Sequence, residues 1–386
     1  GALETPARLQ RMEDVKTHWE VLTGGRADEA LLAALGAAPF VPVESGRFLA
    51  ARDLIDPRNA VLCSVFNTHH GRFPAAEFAT PDWLQFLERI GMKTEVDTDL
   101  LLEAAAEVSR HGDSIAACSD PSGGPWAEKA RRVAGIFVAH FDQLLDRSAD
   151  LTAFLQQLAP IRFLPLPSPR GGRVQLFRYA ETCLAVDRPL VWRVQPALPE
   201  ALAPRSIAHQ ALGLLSPPEL SAVIDNLSLV TPDCLEPGSW PFGAHPREVF
   251  GQIWAHVAAQ WPRMSHALKA QLQRSWCVPV GRYSMQRPGR LYQACDTPLP
   301  PFLHPLPAEF ADYWVYFMEL GAHPHPDVLF LRDLLGRIYA EYAGLPLTPT
   351  ELGSVITLLH LLHDNAALPD PVYLPDEAGR LRSSET

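Results

Sequence analysis

The stretch Phe40-Val41-Pro42-Val43-Glu44-Ser45-Gly46-Arg47 decides the reading of this sequence, because its pattern returns. The apolar-Pro-apolar run recurs as Phe163-Leu164-Pro165-Leu166, as Cys277-Val278-Pro279-Val280 and as Val372-Tyr373-Leu374-Pro375. A Gly-Arg pair follows each one: Gly46-Arg47, Gly172-Arg173, Gly289-Arg290 (or the earlier Gly281-Arg282) and Gly379-Arg380. An apolar strand, a glycine turn and a second short strand predict a β-hairpin. Proline cannot donate to a ladder, so the first strand belongs at an edge or a bulge.

A second signature follows the first three hairpins. An apolar residue precedes a glycine at Ile90-Gly91, Leu212-Gly213 and Leu320-Gly321, and six residues after each glycine stands an acid, Asp97, Glu219 and Asp327. The glycine reads as a helix C-cap in the first and third copies, where a helical run leads into it. The acid reads as an N-cap or first-turn residue of the next helix, where it complements the helix dipole. From strand proline to glycine the distance is 49, 48 and 42 residues in the three copies.

Between these marks lie amphipathic helices. Thr5-Pro6 opens a run with Leu9, Met12, Val15, Trp19 and Leu22 on one stripe, and Thr80-Pro81 opens another with Leu84, Leu87 and Ile90. Ser216-Pro217-Pro218-Glu219 and Thr348-Pro349-Thr350-Glu351 both read as capping boxes with proline at the first helical position. Further runs span 126–145, 246–261, 308–320 and 327–343. Helices outnumber strands and strands arrive as isolated hairpins, which predicts a helix-rich α+β fold, modular and elongated, with each short hairpin followed by helices. The expected divisions are an N-terminal helical segment 1–35, modules 36–159, 160–262 and 263–366, and the start of a fourth hairpin at 367–386. A hairpin that stops at Thr386 would leave its apolar face without partners, so the natural protein is expected to continue.

The composition narrows the function classes. A net charge of −11 and a pI near 5.7 argue against a nucleic-acid or anionic-membrane surface. Six scattered cysteines without a C-x-x-C pair suit a reducing compartment, and a cytoplasmic location is expected. The 37 prolines concentrate in connectors such as 165–169, 298–307 and 324–326, which predicts rigid links between short elements.

Candidate chemistry is sparse. His360 and His363 lie one turn apart on a predicted helix, and His323 and His325 alternate with prolines. Each pair could ligate a metal, but a third ligand is not evident and helix-terminal or loop histidines are the simpler reading. His69-His70 reads as an exposed turn, and Cys277, at the Phe position of the other copies, as a buried core thiol. Arg47, Arg173 and Arg380 are expected to pair with neighbouring carboxylates, the alternative being the lining of a groove. No G-x-x-x-x-G-K-[ST], G-x-G-x-x-G, G-x-S-x-G or H-E-x-x-H motif occurs. No catalytic residue, metal ligand or cofactor is therefore assigned.

In order along the chain, Phe40–Val43 with Gly46-Arg47, Asp53-Leu54-Ile55-Asp56-Pro57, Gly71-Arg72-Phe73-Pro74 and Ile90-Gly91-Met92-Lys93-Thr94 resemble the repeat regions of sacsin and sacsin-like proteins. Leu190-Val191-Trp192 with Gln195-Pro196, the helix start Ser216–Leu227 and the segment Val372–Arg380 continue the resemblance. In that family the repeats begin with an ATPase-like domain of the Hsp90 and histidine-kinase type, whose residues are not matched here; Asp120-Pro121-Ser122-Gly123-Gly124 is the nearest approach. The resemblance thus implies the non-ATPase part of a repeat in a chaperone-type protein. It also implies partners in the Hsp70 and Hsp90 systems, protein clients or cytoskeletal filaments, and the rest of the parent chain. Trp83, Trp192, Trp240 and Trp314 are candidate contact residues, being aromatic and near connectors. The rival expectations are an enzyme with a histidine-based metal pocket and a passive spacer.

Overall fold

Four short antiparallel pairs stand where the repeated motif predicts hairpins. They appear in a computed structural model that describes residues 5–19, 29–66, 71–147, 150–235, 240–280, 284–293, 299–342 and 344–384. Strand β1 (Pro39–Pro42) pairs with β2 (Phe48–Ala50), β3 (Leu164–Pro167) with β4 (Val174–Phe177), and β5 (Val278–Pro279) with β6 (Met285–Gln286). A parallel pair, β7 (Leu291–Tyr292) and β8 (His304–Pro305), precedes the last hairpin, β9 (Tyr373–Pro375) with β10 (Leu381–Ser383). All described sheets are two-stranded and helices make up the rest of the regular structure, so the chain is α+β. In every hairpin the motif proline lies on the first strand, an edge by construction.

The first three hairpins continue in the same way. A 3₁₀ turn follows at Ala51–Asp53, Tyr179–Glu181 and Pro288–Arg290. One extended residue then follows, Ile55, Cys183 or Tyr292, which pairs with a later segment of its own copy. Ile55 donates to the Arg72 carbonyl at 3.0 Å, Cys183 to that of Pro196 at 3.1 Å, and Tyr292 lies opposite Pro305 in the parallel pair. A second 3₁₀ turn buries Phe78, Leu202 or Phe310, and a helix leads to the glycine. Those helices are Pro81–Arg89, Ser206–Leu212 and Trp314–Glu319.

The glycines close those helices identically. Met92 donates to the Leu87 carbonyl, Leu214 to that of His209 and Ala322 to that of Phe317, each at 2.9 Å. This six-to-one bond is a Schellman cap, and it needs the left-handed backbone of Gly91 (φ 108°), Gly213 (72°) and Gly321 (97°). The second copy thus has the helix cap that the sequence pattern supported only in the first and third. Six residues on, Asp97 and Asp327 accept from the backbone N–H of Leu100 and Phe330, both at 2.7 Å. Glu219 occupies the N-cap position too, but its side chain makes no cap bond.

The contacts divide the chain into two units. The first comprises residues 1–185 and 196–216, the second 186–195 and 217–386. Within the first unit, one core joins β1 to helices Thr5–Thr17 and Pro81–Arg89 through Met12, Trp19, Phe40, Val41, Leu84 and Leu87. A larger core gathers Ile55, Leu101, Phe137, Phe154, Phe163, Leu164, Tyr179 and Leu212, and so runs through position 160, where the sequence suggested a module boundary. Its centre is aromatic: the Phe137 ring lies 5.7 Å from Phe141, 6.2 Å from Phe154 and 6.0 Å from Tyr179. In the second unit, Leu335, Val355, Leu358, Leu362 and Leu381 form a core between helices Val328–Tyr342 and Pro349–Asp364 and the last hairpin.

Several expectations need correction. The 126–145 run breaks at His140 into helices Gly124–Ala139 and Phe141–Arg147. The capping box at Thr348 forms, with Thr348 and Glu351 each satisfying the other's backbone N–H, whereas that at Ser216 does not. There the helix starts only at Leu220, because Pro218 drives Pro217 out of the helical region. Gly289 lies in the 3₁₀ turn after the third hairpin and not in its loop; Gly281, Arg282, Leu22, His69, His70 and Cys295 lie outside the described residues, as does the side chain of Leu9. The fourth hairpin buries Leu381 after all, against the two helices before it.

Two stability measurements check this description. Urea unfolding of Thr348→Ala should lose about 0.5–2 kcal/mol, while Ser216→Ala should be near neutral. Gly36 packs its Cα side against the Ile90 carbonyl oxygen, where an added methyl would collide with backbone. Gly36→Ala should therefore cost about 1–3 kcal/mol.

Candidate functional site

The repeat positions themselves act as framework. Phe40, Phe163 and Cys277 are buried equivalents. The Cys277 carbonyl accepts from the Trp254 indole at 3.0 Å, and burial pushes its thiol pKa up. Gly46, Gly172 and Gly379 close hairpin loops with φ near 70°. The arginines depart from expectation: Arg47, Arg173 and Arg380 are exposed and form no ion pair among the described residues. Their main chains hold the loops instead, their carbonyls accepting from Val43, Ser168 and Asp376 at 2.8–2.9 Å.

The histidines do not assemble a centre. His360 and His363 are both exposed, on the last turns of their helix. His323 pairs its backbone with Leu291 and rests its ring 3.9 Å from Phe330. Among the described residues no three His, Cys, Asp or Glu side chains are grouped to hold a metal ion.

One recess in the first unit combines polar groups with an aromatic floor. It encloses about 440 Å³ between Cys63, Ser64, Trp126, Glu128, Lys129 and Arg132. Trp126 stacks flat on His111 at 3.6 Å, and Lys129 lies 5.3 Å above its ring while bound to Glu107 at 2.7 Å. Arg132 is held by Glu128 at 3.4 Å, so both cations are compensated. Cys63 donates to the Pro57 carbonyl, and burial, with the charge of Asp56, pushes its pKa up. A protonated, hydrogen-bonded thiol is a poor nucleophile.

The four tryptophans marked from sequence lie in three settings. Trp83 is core, packed on Phe78 at 4.6 Å and covered by Lys16. Trp314 is half-buried and makes no close ring pair among the described residues. Trp192 and Trp240 come together in the second unit, 5.9 Å apart and edge to face. Phe242 joins them at 5.5 Å and 5.2 Å, and all three residues are half-buried beside the buried Phe250. Arg188 lies 5.3 Å over the Phe242 ring. Val186, two residues before that arginine, is 76% exposed. The Trp240 indole donates to the Ala244 carbonyl at 2.9 Å, which fixes its plane. Edge-to-face packing of this kind contributes about 0.5–1.5 kcal/mol per pair beyond burial. The result is a rigid, partly wet aromatic surface beside a cation, made of the residue types that dominate protein interfaces. Phe242 was not foreseen from sequence, and only its closeness to Trp240 in a proline-rich connector could have pointed to it.

Beneath this surface the same segment carries polar groups inward. The buried Asp187 carboxylate faces His256, and the Arg193 N–H donates to Asn226 Oδ1 at 2.7 Å. Burial lowers the His256 pKa, with Asp187 opposing the shift, and Gln260 bonds the ring at 2.9 Å. No family model matches the chain, and neither does any curated protein or solved structure.

The histidines set an expected pH response. His256, His304 and His323 all have lowered pKa values, chiefly from burial, so the fold favours their neutral forms. The unfolded chain takes up protons first as pH falls, so their stabilisation is complete above the ordinary value of 6.5 and is lost as pH drops through the folded values. Melting temperature should fall between pH 7.5 and pH 5.5, before carboxylates titrate, and the fall should shrink in a His256→Gln/His304→Gln double variant.

Proposed function

We propose that this chain is a non-catalytic interaction and scaffold region of a sacsin-like chaperone protein. In this reading it serves proteostasis in the cytoplasm beside the Hsp70 and Hsp90 systems and contacts protein clients or cytoskeletal filaments. The observation that carries the reading is the half-buried cluster of Trp192, Trp240 and Phe242 with Arg188 above it. Rigid aromatic side chains bury large apolar area at low entropic cost, and an arginine at the rim suits clients or segments with acidic residues. The family resemblance of the repeated hairpin segments supplies the chaperone context. The compensated charges around Trp126 and the protonated Cys63 make the recess beside them a weaker candidate for chemistry.

Suppression of aggregation of a heat-denatured model protein tests this. The unaltered chain should suppress light scattering at stoichiometric ratios, and Trp240→Ala with Phe242→Ser should lose at least half of that effect with circular dichroism unchanged. Equal suppression by the double variant would remove the aromatic cluster from the function. No suppression by the unaltered chain would favour a passive spacer.

A further inference from the structure

The four hairpins share an apolar first strand with its proline, and the residue before that proline differs in burial. Val41, Leu164, Val278 and Leu374 each directly precede the strand proline. The first three are fully buried at 0% exposure, whereas Leu374 is 51% exposed. The helices before the hairpin do not account for the difference. In the fourth copy they are present and packed: Tyr373 stacks on Tyr339 at 4.2 Å and Leu381 is buried between helices Val328–Tyr342 and Pro349–Asp364. Leu347 also pairs its backbone with Gly379, so the β10 side of the hairpin is engaged.

The first copy shows what covers the other face. There the segment after the hairpin returns along β1, with Val43 bridged to Pro74 and Ala75 donating to the Pro42 carbonyl at 2.9 Å. Its 3₁₀ turn and helix then bring Phe78, Leu84, Leu87 and Ile90 into one cluster with Val41. In the second copy Leu164 shares a cluster with Leu202 of the second 3₁₀ turn and with Ala208 and Leu212 of the helix that leads to Gly213.

From this equivalence we propose that the Leu374 face of the β9–β10 hairpin is a docking site for an amphipathic segment of the same kind. The occupant is an extended stretch along β9, a short 3₁₀ turn ending in an apolar residue, and a helix with apolar residues on one stripe. Recognition combines main-chain pairing to the β9 edge, which pairs only with β10 among the described residues, with an apolar helix face, two established modes of peptide capture. The inference rests on the internal repeat and is independent of the chaperone reading and of the Trp192–Trp240 surface.

A synthetic peptide of residues 73–93, which carries the covering elements of the first copy, is the probe. Fluorescence anisotropy should show saturable binding of the labelled peptide to the full chain. Leu374→Asp, an exposed substitution, should weaken it at least tenfold with circular dichroism unchanged, and a peptide with Phe78, Leu84 and Leu87 changed to serine should not bind. Absence of saturable binding to the unaltered chain, or equal binding by Leu374→Asp, would overturn the proposal. So would a concentration-dependent dimer that Leu374→Asp converts to monomer, since a second copy would then be the occupant.

Discussion

A hairpin of strands two to four residues long has almost no interior, and the rest of this structure follows from how that is remedied. Such a hairpin is marginal alone in water. Here Val41, Leu164 and Val278 are fully buried, the first two among apolar side chains from both before and after their hairpins. The following segment pairs its backbone just after the 3₁₀ turn, at Ile55, Cys183 and Tyr292, and in the first copy Ala75 also bonds to Pro42. In the first and third copies a second pairing returns after the glycine, with Lys93 bonded to Leu54 and His323 bonded to Leu291. The bonds are few, but they set the register in which the apolar residues meet, and those residues supply most of the stabilisation.

The Schellman glycines serve the same geometry. A helix running on past Ile90, Leu212 or Leu320 would carry the chain away from its hairpin. The left-handed residue reverses it within a turn and delivers the next one or two residues, buried Met92, Leu214 and Ala322 among them, back to the core. The acid six residues later restarts helical structure by capping exposed N–H groups. Where the cap is missing, at Glu219, the second proline of Pro217-Pro218 has already fixed where helix can begin.

The candidate surface follows a different logic from the framework. Its aromatic rings are held by one another and by one indole hydrogen bond, with Phe250 as the buried base. Among the described residues elsewhere, Cys183, Cys234 and Cys277 are buried, lysines are paired and the histidines join no metal-binding group. Cys234, at a pKa pushed up to about 11 by burial, is of this kind.

By itself the sequence determined the local grammar. Proline in a short apolar run, glycine at a helix end and an acid six residues on each act through backbone geometry within a few residues, so their consequences are legible in one dimension. The same locality made the Thr348 capping box readable. Two local readings failed on backbone geometry. The Ser216 box gave way to a steric effect of the second proline, and the hairpin arginines proved to use their carbonyls and not their charges. Only the tertiary structure decided that Trp83 is core while Trp192 and Trp240 meet at a surface with Phe242. Only it showed that Leu374 lies open where Val41, Leu164 and Val278 are closed. Burial depends on which segments return to a position after some tens of residues of chain, and no local pattern encodes that return.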